Sequence, residues 1–212
     1  RPQQPPPLPT AIPPGIDIKE AGSVAKLRTW LLDYYGSTTF NTCEHQSLPL
    51  MTGSPLQLHV DPQVSPIACN KVVPIPLHWR EKVKADLERD VRIGVLERVP
   101  DNTPVTWQSR MVITRKANGE PRRTIDFQPL NKHCKRQTFP LDSPFSLASR
   151  IPAGTKKSVC DVWNGYHSIP LDPAHRHYTT FLTPFGRFRY KVAPQGHMVS
   201  GDGFNERYST IT

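Results

Sequence analysis

Cysteine is scarce, with four in 212 residues (Cys43, Cys69, Cys134 and Cys160) and no C-x-x-C pair among them. A structural zinc site is therefore not expected, nor a secreted disulfide scaffold. The eight histidines contain no H-E-x-x-H, and His175 and His177 read as surface residues rather than metal ligands. Long apolar runs are missing too. Each is broken well short of the ~18 residues that a membrane helix needs, so no membrane partner and an intracellular location are expected. The opening RPQQPPPLPT has no apolar centre, so no signal peptide is expected. There is no G-x-x-x-x-G-K-[ST] loop, no G-x-S-x-G elbow, and no Asp-Thr-Gly or Asp-Ser-Gly triplet. P-loop, α/β-hydrolase and aspartic-protease chemistry lose their candidates with them.

Proline and positive charge are abundant. The chain holds 24 prolines against 12 glycines, and 27 Lys+Arg against 18 Asp+Glu, for a net charge of +9. The charge is unevenly placed. Residues 1–70 carry four bases and five acids, so all of the excess lies beyond them. It peaks over 110–136, where eight bases face only Glu120 and Asp126. Such a field suits a polyanion, although a solvated basic face gives the same composition. Hydrophobic residues make up 36%, low for a chain packed throughout.

Three regions follow. Residues 1–49 read as a proline-rich linker arm with one helix from Ile18 to about Tyr35, where Val24, Leu27 and Leu31 recur at helical spacing and Gly36 ends the run. Residues 50–76 read as an extended connector in which LQLHV (56–60) alternates like a short strand. Residues 77–212 hold the folded part. A helix over 77–93 puts Val83, Leu87 and Val91 on one face, with Gly94 at its stop. Strands are expected at 95–99, 110–114 and 122–127, the last two joined by a Lys116-Ala-Asn-Gly turn. Asp142 or Ser143 caps a short helix to Ser149. Further strands are expected at 157–161, 168–171, 178–182 and 187–193, and a helix begins within 201–212. The mixture predicts an α+β fold.

Three segments carry candidate chemistry. In the first, an Asn-Gly-tipped hairpin (Arg115 to Lys132) bears paired bases on both arms, a fork that can grip a triphosphate. In the second, Asp161 ends a strand-like run before Asn164, Gly165 and Tyr166, which can aim one carboxylate at a metal ion. In the third, the strand leading to Pro194-Gln195-Gly196 exposes a glutamine amide.

With Arg122-x-x-x-Asp126-Phe-x-x-Leu-Asn131, Asp161 before Gly165-Tyr-His, Thr183-Pro-Phe-Gly and Pro194-Gln-Gly in this order, residues 50–212 resemble the reverse transcriptase of a gypsy-type LTR retrotransposon. The likeness covers its fingers and about the first half of its palm. Residues 1–49 resemble the variable connector ahead of it in the pol polyprotein. The resemblance implies an RNA-directed DNA polymerase that adds deoxynucleoside triphosphates to an RNA or DNA primer-template. Asp161 matches the first catalytic carboxylate, holding Mg²⁺ (or Mn²⁺) with the carbonyl of Val162. Arg115, Arg122, Asn164 and Gly165 match the triphosphate grip, Tyr166 the gate against a ribose 2′-hydroxyl, and Gln195 the contact to the nucleotide sugar. Asp126 is structural in this reading.

The sequence departs from the family in lacking any Asp-Asp pair, where the family has a Tyr-x-Asp-Asp turn. One carboxylate cannot fix two divalent ions, so the chain by itself is expected not to polymerise. Asp202 is an unexpected charge near the template-binding surface. The other readings are a non-catalytic basic nucleic-acid-binding module derived from a retrotransposon, and an interaction protein whose proline arm docks in aromatic grooves.

Overall fold

The computed structural model of the chain describes residues 7–11, 13–17, 19–36, 47–140, 142–156, 162 and 164–209. Asp161, the strand expected over 157–161 and Trp163 lie outside the described residues. The chain forms two compact units, Arg1–Gln46 and Ser47–Thr212.

In the first unit, helix α1 spans Ser23–Tyr35. It starts later than the periodicity predicts, because Asp17 engages the chain locally. Its side chain accepts from Lys19 N at 2.9 Å, and its carbonyl accepts from Glu20 N at 3.0 Å and from the Ser23 hydroxyl. Such side-chain turns compete with helix formation. Gly22, at φ 88°, then starts the helix. Val24 is 83% exposed, so the expected apolar face does not include it.

The second unit is built on α2 (Leu77–Arg92) and a five-stranded sheet: β1 (Leu96–Val99), β2 (Ser109–Arg115), β3 (Pro121–Ile125), β4 (Phe181–Thr183) and β5 (Gly186–Tyr190). The strand order is β1-β5-β4-β2-β3, with β2 and β4 parallel and the other pairs antiparallel. Helix α2 buries Val83 and Leu87 against Met111, Phe127, Phe181 and Phe188, while Val91 is half-buried at the edge of this core. It ends as predicted: Gly94 takes φ 81°, and the Val95 N–H closes on the Asp90 carbonyl at 2.9 Å. The β2–β3 hairpin turns at Asn118-Gly119, with Gly119 at φ 86°. Trp107 is buried in the same core, a packing residue.

Three expected strands are shortened or replaced. Residues 178–179 fall in a 3₁₀ turn, Pro173–Thr179, because Asp172 caps it through Ala174 N (2.9 Å) and Pro173 suits its first position. LQLHV makes only the single bridges Leu56–Leu171 and Val60–Cys134. Its alternation is real nonetheless, since Leu56 and Leu58 anchor a second core cluster with Ile169, Leu171, Ala193 and Val199. Residues 168–171 likewise make isolated bridges rather than a strand. Helix α3 is a single turn, Gln128–Asn131. Ser143 caps α4 (Pro144–Ser149) through Ser146 N, and α5 spans Met198–Ser209.

Candidate nucleotide site

The hairpin bases divide by pleat. Pairing sets Arg123 opposite Ile113 and Arg122 opposite Thr114, so the two neighbours leave opposite faces. Arg123 turns inward and bonds the buried Asp90 of α2 at 2.6 Å. Arg122 stays exposed. Arg115 pairs with Pro121 at the end of β2, and its guanidinium lies over the turn, where a Cβ on Gly119 would sit 3.7 Å from Nη2. The two arginines of the expected grip thus start from opposite faces of one ribbon, near its tip. Lys82 of α2 reaches Glu120 at 3.1 Å and steadies that tip.

Other bases of the 110–136 stretch are also engaged. Arg110 meets Asp126 at 3.1 Å, which accords with a structural role for Asp126. Arg136 chelates Asp202 through Nε (2.8 Å) and Nη2 (3.1 Å). Asp202 is therefore a buried ion-pair partner on α5 rather than an exposed charge at a template surface. The Arg136 hydrogen bond holds its carboxyl below the usual carboxylate range.

Sequence reasoning gave Asn131 no role, and the structure makes it a clamp. Its Nδ2 donates to the Gly196 carbonyl at 3.0 Å, and its Oδ1 accepts from Met198 N at 3.1 Å. The Asn that closes the Asp-Phe-x-x-Leu-Asn motif thus holds the Pro194-Gln195-Gly196 turn. Ser200 adds a bond from its hydroxyl to the Pro194 carbonyl at 2.7 Å. Gly196 sits at φ 90°, with the Ile125 carbonyl 3.5 Å from where a Cβ would lie. Replacing Asn131 by Ala is expected to lower stability by about 1–2 kcal/mol. Asn131→Asp should cost at least as much, because it keeps the acceptor for Met198 N but turns a carboxylate oxygen toward the Gly196 carbonyl. Thermal melts of both variants check this.

Gln195 is exposed on this turn, and its Nε2 donates to Asn164 Oδ1 at 3.3 Å. Asn164 is the one non-glycine at positive φ (51°) among the described residues, a conformation that asparagine tolerates. The 3₁₀ turn Gly165–Ser168 follows. A Cβ on Gly165 would come within 2.7 Å of the Phe204 ring, so a larger residue here obliges that ring to shift. Tyr166 is half-buried and meets Phe204 edge-on, with centroids 5.7 Å apart. Val162 is 51% exposed. Asn164, Gly165, Tyr166 and Gln195 are thus drawn into one neighbourhood beside α5.

Two histidines flank it, His197 buried and His167 half-buried. His167 and His197 are both pushed down to about 4, chiefly by burial, and stay neutral at physiological pH. Cys134 Sγ lies 3.5 Å from His197 Nε2, which invites a nucleophile reading. Burial pushes the thiol up to about 11, and His197 Nδ1 accepts from Val199 N at 3.3 Å, so the ring carries its proton on Nε2. The pair is a neutral packing contact. Among the described residues, no group of three or more His, Cys, Asp or Glu could hold a metal ion. No described helix is long and apolar enough to cross a membrane.

No family model matches the sequence. Two solved structures of the prototype foamy virus protease-reverse transcriptase are similar to it, the native form and a selenomethionine-labelled CSH mutant. Each superposes with a TM-score of 0.73 at 18% identity, over 88% of this chain and 24% of the viral chain. The chain therefore spans about a quarter of the length of those proteins. It has a reverse-transcriptase-like α+β fold.

Proposed function

We propose that this chain supplies the fingers and first part of the palm of an RNA-directed DNA polymerase of the gypsy-type LTR retrotransposon class. One observation carries the reading. The motifs resembling that family meet in space through named bonds: Asn131 holds the Pro194-Gln195-Gly196 turn, and Gln195 in turn reaches Asn164. The foamy virus likeness supports the same frame.

In this reading Arg115 and Arg122 contact the phosphates of a deoxynucleoside triphosphate, and Gln195 contacts its sugar. Tyr166, braced edge-on by Phe204, blocks a ribose 2′-hydroxyl. Asp161 and the Val162 carbonyl are hard oxygen donors, a set suited to Mg²⁺ or Mn²⁺. When bound, the metal supplies charge to the reacting phosphates. Exposed bases on and beside the hairpin, Lys116, Lys132 and Lys135 among them, contact the phosphates of a primer-template.

Two assays test this. A labelled single-stranded oligonucleotide should bind with little sequence preference. For four neutralised phosphates, affinity should fall roughly fifty-fold between 50 and 200 mM salt. The 212-residue chain assayed alone should not extend a primer, since no Asp-Asp pair occurs in its sequence. Salt-independent binding, or robust extension, would overturn the reading. Oligonucleotide binding without any triphosphate binding would identify the non-catalytic module instead.

A further inference from the structure

The Thr183-Pro184-Phe185-Gly186 motif takes no part in the nucleotide site. It turns β4 into β5, and its own groups fix the turn. The buried Thr183 hydroxyl donates to the Gly186 carbonyl at 2.8 Å and accepts from Phe185 N at 3.0 Å. Gly186 takes φ 105°, which favours glycine. Phe185 is thereby held at the tip, half-buried. Arg98 of β1 donates to its carbonyl at 3.4 Å, and the Arg80 guanidinium of α2 lies over its ring, 5.1 Å from the centroid. Arg98 also covers the Phe188 ring at 4.9 Å.

Helix α2 sorts its charges by flank. Lys82 and Asp90 are ion-paired to the β2–β3 hairpin, and Arg89 to Asp86 and Asp90. Arg80, Lys84 and Glu88 recur every four residues on the flank toward β1 and the turn. Glu88 meets Arg98 at 3.9 Å, whereas among the described residues no carboxylate pairs with Arg80 or Lys84. Arg80, Lys84 and Arg98 are all exposed. Three cations thus gather at one aromatic turn against Glu88.

The register places this turn. Strands β2 and β4 run parallel with Ser109 opposite Phe181, so Thr183 is level with Met111. The turn and the Asn118-Gly119 tip therefore leave the same end of the sheet. Arg115 stands four residues further along, about 13 Å. A strand whose phosphates reach the hairpin can also pass over the turn.

A planar guanidinium resting on an aromatic ring is a stacking surface for an unpaired base, and neighbouring cations suit the phosphates on either side of it. A duplex hides its base faces, and an acidic peptide would meet the charges but leave the plane unused. We propose, resting on the nucleic-acid reading above, that Arg80 on Phe185 is a platform for one unpaired base of single-stranded nucleic acid, with Lys84 and Arg98 at the flanking phosphates. None of these residues belongs to the nucleotide grip.

The test uses the full chain with fluorescein-labelled oligothymidylate and an abasic strand of the same length, read by anisotropy. Arg80→Ala should weaken oligothymidylate about tenfold, and Arg80→Lys, which keeps the charge and loses the plane, about fivefold. Phe185→Leu should match Arg80→Lys. On the abasic strand, Arg80→Lys and Phe185→Leu should bind as the parent does. Lys84→Ala should weaken both strands about twofold and lower the salt slope by about 0.7. The proposal is overturned if Arg80→Lys and Phe185→Leu bind oligothymidylate as tightly as the parent, or if they lose as much on the abasic strand. It is equally overturned if polyglutamate displaces the labelled strand as well as unlabelled oligothymidylate does, which would make the surface a site for acidic peptide. If the parent binds no oligonucleotide at all, the nucleic-acid reading falls and the platform with it. Parent-level binding by the variants removes the platform alone. Far-ultraviolet circular dichroism of each variant keeps loss of α2 distinguishable from loss of the platform.

Discussion

Replacing Asp90 by alanine is expected to destabilise the second unit by about 3–5 kcal/mol. Asp90 sits in the last turn of α2 with its side chain 10% exposed, and it accepts from two guanidiniums. Arg123 bonds Oδ2 at 2.6 Å, and Arg89 bonds Oδ1 through Nε and Nη2. Removing the carboxylate leaves Arg123, itself 20% exposed, without its charge partner beneath the sheet. Arg89 retains Asp86 at 3.3 Å, so the loss falls on Arg123. For a domain of this size the melting temperature should drop by roughly 6–20 °C. The pair can also be replaced as a whole. Asp90→Leu with Arg123→Met should recover most of the loss, because two buried charges are exchanged for apolar packing. A double-mutant cycle by chemical denaturation measures both effects. A single Asp90→Ala effect below about 0.5 kcal/mol would contradict this role.

The second large effect is expected at Phe127. In the Asp-Phe-x-x-Leu-Asn motif this ring is 1% exposed, and Leu130 beside it is equally buried. Phe127 lies 6.1 Å from both the Tyr190 and the His197 rings, and 3.9 Å from where a Cβ on Gly196 would sit. It therefore packs the sheet against the turn that carries Gln195. Phe127→Ala should cost about 3–5 kcal/mol through lost burial and the cavity left behind. Phe127→Leu should cost less. Melts and near-ultraviolet circular dichroism check this, and a loss under about 1 kcal/mol would mean that the ring is not the wedge described.

Both positions show how much of the molecule could be read from sequence. Helix α2 was legible because Val83 and Leu87 repeat at helical spacing and Gly94 marks the stop. The β2–β3 hairpin was legible because Asn118-Gly119 favours one tight turn. Asp90 was not legible. A charge next to Arg89 on a polar helix reads as solvated, and its partner lies 33 positions away across a sheet contact that periodicity cannot report. The same holds for Asp202, whose neighbour Arg136 makes it structural, and for Asn131, whose bonds reach 65 and 67 positions along the chain. The strand expected over 178–182 is half present, as β4 from Phe181, and its first residues differ for a local reason. Asp172 caps a 3₁₀ turn that runs to Thr179, so the chain extends only beyond it.

The candidate site divides in a similar way. The resemblance names Asn164, Gly165, Tyr166 and Gln195, and in the fold Gln195 bonds Asn164 while Gly165 and Tyr166 lie against Phe204 of α5. The reason for Gly165 was not legible, since the Phe204 ring that fills its missing Cβ is supplied by α5. The pleat also separates what the sequence runs together. Arg122 and Arg123 are neighbours in the chain, yet one is exposed and the other is committed to Asp90.

The most direct test of the nucleotide site is titration of Mn²⁺ with dATP into the 212-residue chain, read by water-proton relaxation enhancement. Saturable enhancement is expected, weakened about tenfold by Arg122→Ala and abolished by Asp161→Asn. Enhancement of the same size and midpoint in the Asp161→Asn chain would contradict it.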